Sequence, residues 1–115
     1  MKKTYRRPYR ENQVKRVEMY CKNNNLSYTN LTIYDGYVTF NGWSNITYEQ
    51  LVNKLVRERY SDSAEFAILR KAMSNVTDEF LIYNAYVEEC KLQAKAFIEE
   101  REKELNEWRK NYFRN

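Results

Sequence analysis

The chain has 115 residues, 20 Lys+Arg against 16 Asp+Glu, and no histidine. Without histidine, the Ser–His and Cys–His nucleophile pairs are excluded, and any zinc site would rest on cysteine and carboxylate. No run approaches the roughly 18 apolar residues of a membrane span, and the length suits a single domain.

The net charge of +4 is unevenly spread. Residues 1–22 hold eight basic and two acidic side chains, residues 23–60 three of each, and residues 61–115 nine basic and eleven acidic. Residues 1–9 therefore read as a flexible basic arm. Lys2 to Arg10 lead into polar sequence, so no secretion signal is expected, and Cys21 and Cys90 should be reduced and buried.

From Arg10 to Lys22, Val14, Val17 and Cys21 share a face, which predicts an amphipathic helix over 10–22. Asn23-Asn24-Asn25 ends it, since Asn tolerates left-handed backbone angles. Residues 27–41 predict a β-hairpin about Asp35-Gly36, with Leu31 and Ile33 on its buried face. Thr47-Tyr-Glu-Gln50 has the form of a capping box and opens a helix over 47–60. Asp62 and Glu65 start another over 62–74, with Phe66, Leu69 and Met73 inward. Thr77 caps a last helix over 78–113, with Asp78 and Glu79 at its positive end.

The fold expected is α+β and mostly helical, one domain over residues 10–115. The last helix would be about 54 Å long, against a globule about 35 Å across. Its stripe runs Tyr83, Val87, Cys90, Ala94, Phe97, Arg101, Leu105, Trp108, Tyr112. The end of that stripe, Arg101, Leu105, Trp108 and Tyr112, is a candidate protein interface. Helix 10–22, a second copy of the chain or another protein would each cover it.

On the Glu-rich last helix, Glu99 stands in i,i+4 register with both Lys95 and Lys103, as on a solvated face. No catalytic site, cofactor or metal is expected. The sharpest candidate is the basic segment: Lys2, Lys3, Tyr5, Arg6, Arg7, Tyr9, Arg10, Lys15, Arg16 and Lys22. Its cations neutralise phosphates and its tyrosines stack on bases. The same residues also suit an acidic protein surface, the chain's own Glu-rich helix, or a solvated tail. Helices 47–60 and 62–74 are joined as tightly as a helix-turn-helix, but Glu65, Phe66 and Ala67 are poor base readers.

Thr47-Tyr-Glu-Gln-Leu-Val, Leu55-Val-Arg-Glu-Arg-Tyr-Ser61, Glu65-Phe-Ala-Ile-Leu-Arg70 and Ala85-Tyr-Val-Glu-Glu-Cys-Lys91 form a helical pattern. Over roughly residues 47–95 it resembles small uncharacterised proteins of phages and prophages of Gram-positive bacteria. The spacer 72–77 lacks their usual Pro. The resemblance implies a phage setting and no known reaction. Joined to the basic segment, it leads to a non-enzymatic host-takeover or anti-defence inhibitor. The partner would be a host protein or ribonucleoprotein complex, such as a CRISPR effector, in the host cytoplasm. The alternatives are a virion or tail-assembly component, homo-oligomeric through the last helix, and a DNA-binding regulator.

Overall fold

A computed structural model describes residues 1–112. In chain order the elements are β1 (Lys2–Pro8), α1 (Gln13–Asn23), β2 (Leu26–Tyr34), β3 (Tyr37–Ser44), α2 (Tyr48–Arg57), α3 (Asp62–Ala72) and α4 (Asp78–Tyr112). Helices and one antiparallel sheet make the fold α+β. Among the described residues no helix is long and apolar enough to cross a membrane.

The sequence leads to one domain, but the chain divides into two compact units. The first is residues 1–46 with the chain from Glu100 onward; the second is residues 47–99. The division follows from the cores, because each unit closes its own hydrophobic cluster.

In the first unit, Asp35 and Gly36 have φ of 51° and 76°, the positive angles that a two-residue hairpin turn demands. They join β2 to β3. Residues 2–8 are not an arm: β1 pairs antiparallel with β3, from Lys2 opposite Trp43 to Pro8 opposite Tyr37. The sheet order is β1-β3-β2, so the hairpin gains a third strand. Long Lys and Arg side chains are compatible with such a strand, because their stems can lie along apolar surface while their charges stay wet.

One sheet face packs on α1, where Val17 and Cys21 meet Val38 and Phe40, with Tyr5, Tyr20, Leu26, Tyr28 and Leu31 around them. The Cys21 thiol is free, and burial pushes its pKa up. A β-bulge interrupts β2 between Thr29 and Thr32, with Asn30 at φ 54°. Leu31 reaches the core, whereas Ile33 is half exposed. Gly42 sits under the Tyr5 ring; a Cβ there would stand 2.6 Å from a ring carbon.

In the second unit the Thr47 capping box is complete: Thr47 Oγ1 accepts from the Gln50 amide at 3.2 Å, and Gln50 Oε1 accepts from the Thr47 amide at 3.1 Å. Ser61, not Asp62, caps α3, its Oγ accepting from the Ala64 amide at 3.1 Å. Thr77 Oγ1 accepts from the Phe80 amide at 3.0 Å and so caps α4. The core joins Val56, Ile68, Tyr83 and Cys90.

The buried face of α3 is rotated from the expected one by about one residue, or about 100°. Phe66, Leu69 and Met73 are exposed, and Ile68 is buried. Polar anchoring explains this. Arg57 Nη2 donates to Glu65 Oε1 at 2.7 Å, and Glu65 Oε2 accepts from the Tyr83 hydroxyl. Those bonds turn Glu65 inward together with Ile68, one turn on, and Phe66, the next residue, stands about 100° around the helix from Glu65.

Candidate functional site

The expected basic segment is built on β1 and α1, in the first unit. Alternation along β1 puts Lys3, Tyr5 and Arg7 on the α1 side of the sheet, and Lys2, Thr4 and Arg6 on the other. Tyr5 belongs to the core. Its ring stacks on Phe40 at 5.0 Å and meets Tyr20 edge-on at 5.5 Å, so it offers no face to a base. Burial also pushes its phenol pKa up.

Four of the cations lie over aromatic rings. The guanidinium of Arg6 stands 3.9 Å from the Tyr37 ring centre, and that of Arg7 stands 4.2 Å from Tyr20. Lys3 Nζ is 5.4 Å from Tyr5, and Lys2 Nζ is 5.0 Å from Trp43. Such contacts hold a charge in place without neutralising it.

Lys2 differs from the rest, because its Nζ also pairs with Glu104 Oε1 of α4 at 3.3 Å. At this one residue the basic segment does dock on the chain's own last helix. Arg6, Arg7, Arg10, Lys15 and Arg16 form no ion pair with any described residue.

The structure brings three of the predicted residues together. Arg7, Arg10 and Arg16, with Pro8 and Gln13, line an open depression of about 190 Å³. Tyr9, half exposed, is anchored beside it by its amide, which donates to the Gly36 carbonyl at 2.7 Å. Lys15 is exposed on α1. Lys22 lies apart, lining a larger depression of about 430 Å³ with Glu18, Leu105, Trp108 and Arg109.

Sequence reasoning passed over three residues here. Tyr34 and Tyr37 face each other across the hairpin end, 83% and 38% exposed. The Asp35-Gly36 turn was a sufficient signal for that pair, since it places its two flanking residues opposite one another. Gln13 is only 6% exposed, and no pattern of apolar residues marks it.

The expected protein interface on α4 is largely consumed within the unit. Arg101 Nη1 donates to the carbonyls of Ser44 and Ile46, at 2.8 Å each. Leu105 is buried, so it needs no second chain to cover it. Trp108 is half buried, and the side chain of Tyr112, like Phe113, lies outside the described residues. Between Arg101 and Leu105, Glu104 Oε2 accepts from Thr29 Oγ1 at 2.6 Å and from the Trp43 indole. Burial raises the Glu104 pKa, but the bonds from Thr29, Trp43 and Lys2 outweigh it and hold the carboxyl below its usual range.

In the second unit, Glu65 is likewise held below the carboxylate range, first by its bond from Arg57 and then by Tyr83. The Tyr83 phenol is pushed up to about 12, by burial first and then by its bond to Glu65. Arg57 Nε lies 2.7 Å from Asp62 Oδ1, although Asp62 is exposed. This network binds α2, α3 and α4 together and is structural in character. Among the described residues no three of His, Cys, Asp or Glu are placed to hold a metal. No protein-family model, curated protein or solved structure matches the chain.

Proposed function

We propose that the chain is a non-enzymatic binding protein whose β1–α1 surface engages nucleic acid or the acidic groove of a nucleic-acid-handling complex. In the phage setting that the resemblance of residues 47–95 implies, it would act as an inhibitor of a host defence machine. The observation that supports this reading is the set of five cations that form no ion pair with any described residue, Arg6, Arg7, Arg10, Lys15 and Arg16. Two of them are already held over tyrosine rings. A guanidinium positioned in advance loses less freedom on meeting a phosphate, and it presents a rigid fork of donors. The exposed Tyr34 ring supplies a stacking surface beyond the cations.

The test is single-stranded oligonucleotide binding across a salt series. Five phosphate contacts give a slope near −3.5 in log K against log salt, or about a hundredfold loss between 50 and 200 mM. Binding that ignores salt would overturn the reading. A virion or tail-assembly role is the second reading, and α3 favours it. Phe66, Leu69 and Met73 present an exposed apolar face, beside a depression of about 560 Å³. Under that reading the chain self-associates in ultracentrifugation and Leu69→Lys disperses it; a monomeric wild type speaks against it.

A further inference from the structure

We infer that the sheet face turned away from α1 is, at its hairpin end, a stacking platform for the bases of a single nucleic-acid strand. The inference rests on the nucleic-acid reading above and names the part of the strand that this second face takes.

The sheet register defines the platform. At one end of this face α4 closes over Trp43 and Thr29, where Glu104 accepts from both. The other end is open. It holds Arg6 of β1, Tyr37 and Thr39 of β3, and Thr32 and Tyr34 of β2. Arg6 is the charged group among these five, and no carboxylate stands with them on the face; Asp35 lies beyond Tyr34, in the turn.

The aromatic groups of this end are arranged for flat ligands. Tyr34 leaves its ring 83% exposed. Tyr37 stands directly opposite it, and the Arg6 guanidinium lies 3.9 Å from the Tyr37 ring centre. Arg6 is exposed, so the far side of its guanidinium plane is open to a base. Tyr34, Tyr37 and Arg6 thus form a row across all three strands, about 10 Å wide at the usual strand spacing. Thr32 and Thr39 face each other beside the row, and their hydroxyls can bond base edges.

Charge complementarity supplies the rest of the strand's fit. β1 is the edge of the sheet, with Arg6 on this face and Arg7 on the α1 side. The Tyr9 amide, bonded to the Gly36 carbonyl at 2.7 Å, holds the neighbouring Arg10 near the hairpin turn. A strand whose phosphates follow that edge lays its bases on the open face. A flat face reaches bases only when they are unpaired, so it selects a single strand over a duplex.

The experiment measures labelled oligonucleotides on the full chain by anisotropy: a mixed-sequence single strand, its duplex, and an abasic strand of equal length that keeps the phosphates and lacks the bases. The single strand should bind at least about fivefold tighter than the abasic strand, the least that one stacked base contributes. Tyr34→Thr removes the ring and keeps a strand-forming residue. It should weaken the single strand by about fivefold or more and leave the abasic strand unchanged. Its salt slope should stay parallel to wild type, because stacking releases no counterions. Tyr34→Trp should bind the single strand at least as tightly as wild type. Arg6→Lys keeps the charge and loses the plane, so it should weaken the base-bearing strand alone.

Equal binding of single and abasic strands by the wild type overturns the platform; if both respond steeply to salt, the surface reading stands. Binding of the single strand by Tyr34→Thr as tight as by wild type overturns the platform too, as does tighter binding of the duplex. If no strand binds at any salt, both readings fall.

Discussion

Glu104 ties the end of α4 to the sheet, and substituting it tests how the first unit is held together. Its carboxylate accepts from Thr29 and Trp43, which are 0% and 1% exposed. In Glu104→Leu the Thr29 hydroxyl loses its acceptor, while the Trp43 indole keeps a bond of 3.2 Å to Thr29 Oγ1. One orphaned buried donor costs about 1–3 kcal/mol, and a lost bond to a charged acceptor about 1.5–3. The added apolar contact of leucine offsets part of this, which leaves about 3 kcal/mol. The partly exposed Lys2 pair adds little. Glu104→Gln keeps one acceptor oxygen and should cost about 1 kcal/mol, since neutral bonds are roughly half as strong.

Urea unfolding followed by tryptophan fluorescence is the assay. Both tryptophans of the chain, Trp43 and Trp108, lie in the first unit, so the signal reports that unit. At about 1–3 kcal/mol per molar urea, Glu104→Leu should lower the midpoint by about 1 M or more. Acid supplies a second arm. The folded-state pKa of Glu104 lies below the unfolded value, so the unfolded chain takes up the proton first as the pH falls. The stabilisation is full above the unfolded pKa of about 4.3 and is lost as the pH drops through the folded value. Glu104→Gln should lack that part of the acid loss. A Glu104→Leu midpoint equal to wild type would refute the reasoning.

Two further expectations follow from close packing and from a buried phenol. Gly42→Ala places a methyl 2.6 Å from the Tyr5 ring and should cost about 1–3 kcal/mol; combined with Tyr5→Ala in a double-mutant cycle, most of that cost should vanish. Additivity of the two changes would show that the Tyr5 ring is not held there. The folded chain keeps the Tyr83 proton up to a pH of about 12, whereas the unfolded chain loses it near 10. Stability should therefore decline across that window, by up to about 3 kcal/mol, and Tyr83→Phe should flatten the decline in alkaline unfolding followed by far-UV circular dichroism. An unchanged alkaline limb in Tyr83→Phe would assign it to other groups.

Local signals were readable where a residue type has one strong reason to be where it is. Thr47 with Gln50 forms its box, Asp35-Gly36 forms its turn, and Val17 and Cys21 face the core. The stripe of α4 holds too, with Tyr83, Cys90, Ala94 and Leu105 buried. What escaped was set by partners distant in sequence. Hydropathy alone turns Phe66, Leu69 and Met73 inward on α3, but the bonds of Glu65 to Arg57 and Tyr83 turn Glu65 and Ile68 inward instead. Residues 2–8 read as solvated because charge dominates them, whereas their strand exists through pairing with β3. The candidate site was half legible: the arginines were visible as a group, but that Arg7, Arg10 and Arg16 line one depression depends on residues 2–8 joining the sheet as a strand.

The basic residues of β1 have a second physical reason to exist. β1 is an edge strand, and edge strands commonly carry Lys or Arg to repel pairing with another sheet. That reason accounts for Lys2, Lys3, Arg6 and Arg7, where almost any arrangement of charge would serve. It does not account for Arg10 and Arg16, which lie beyond the strand, nor for a helix start without a capping side chain. The proposed function therefore rests on Arg10 and Arg16, where edge protection has nothing to say, more than on the denser charge of the strand.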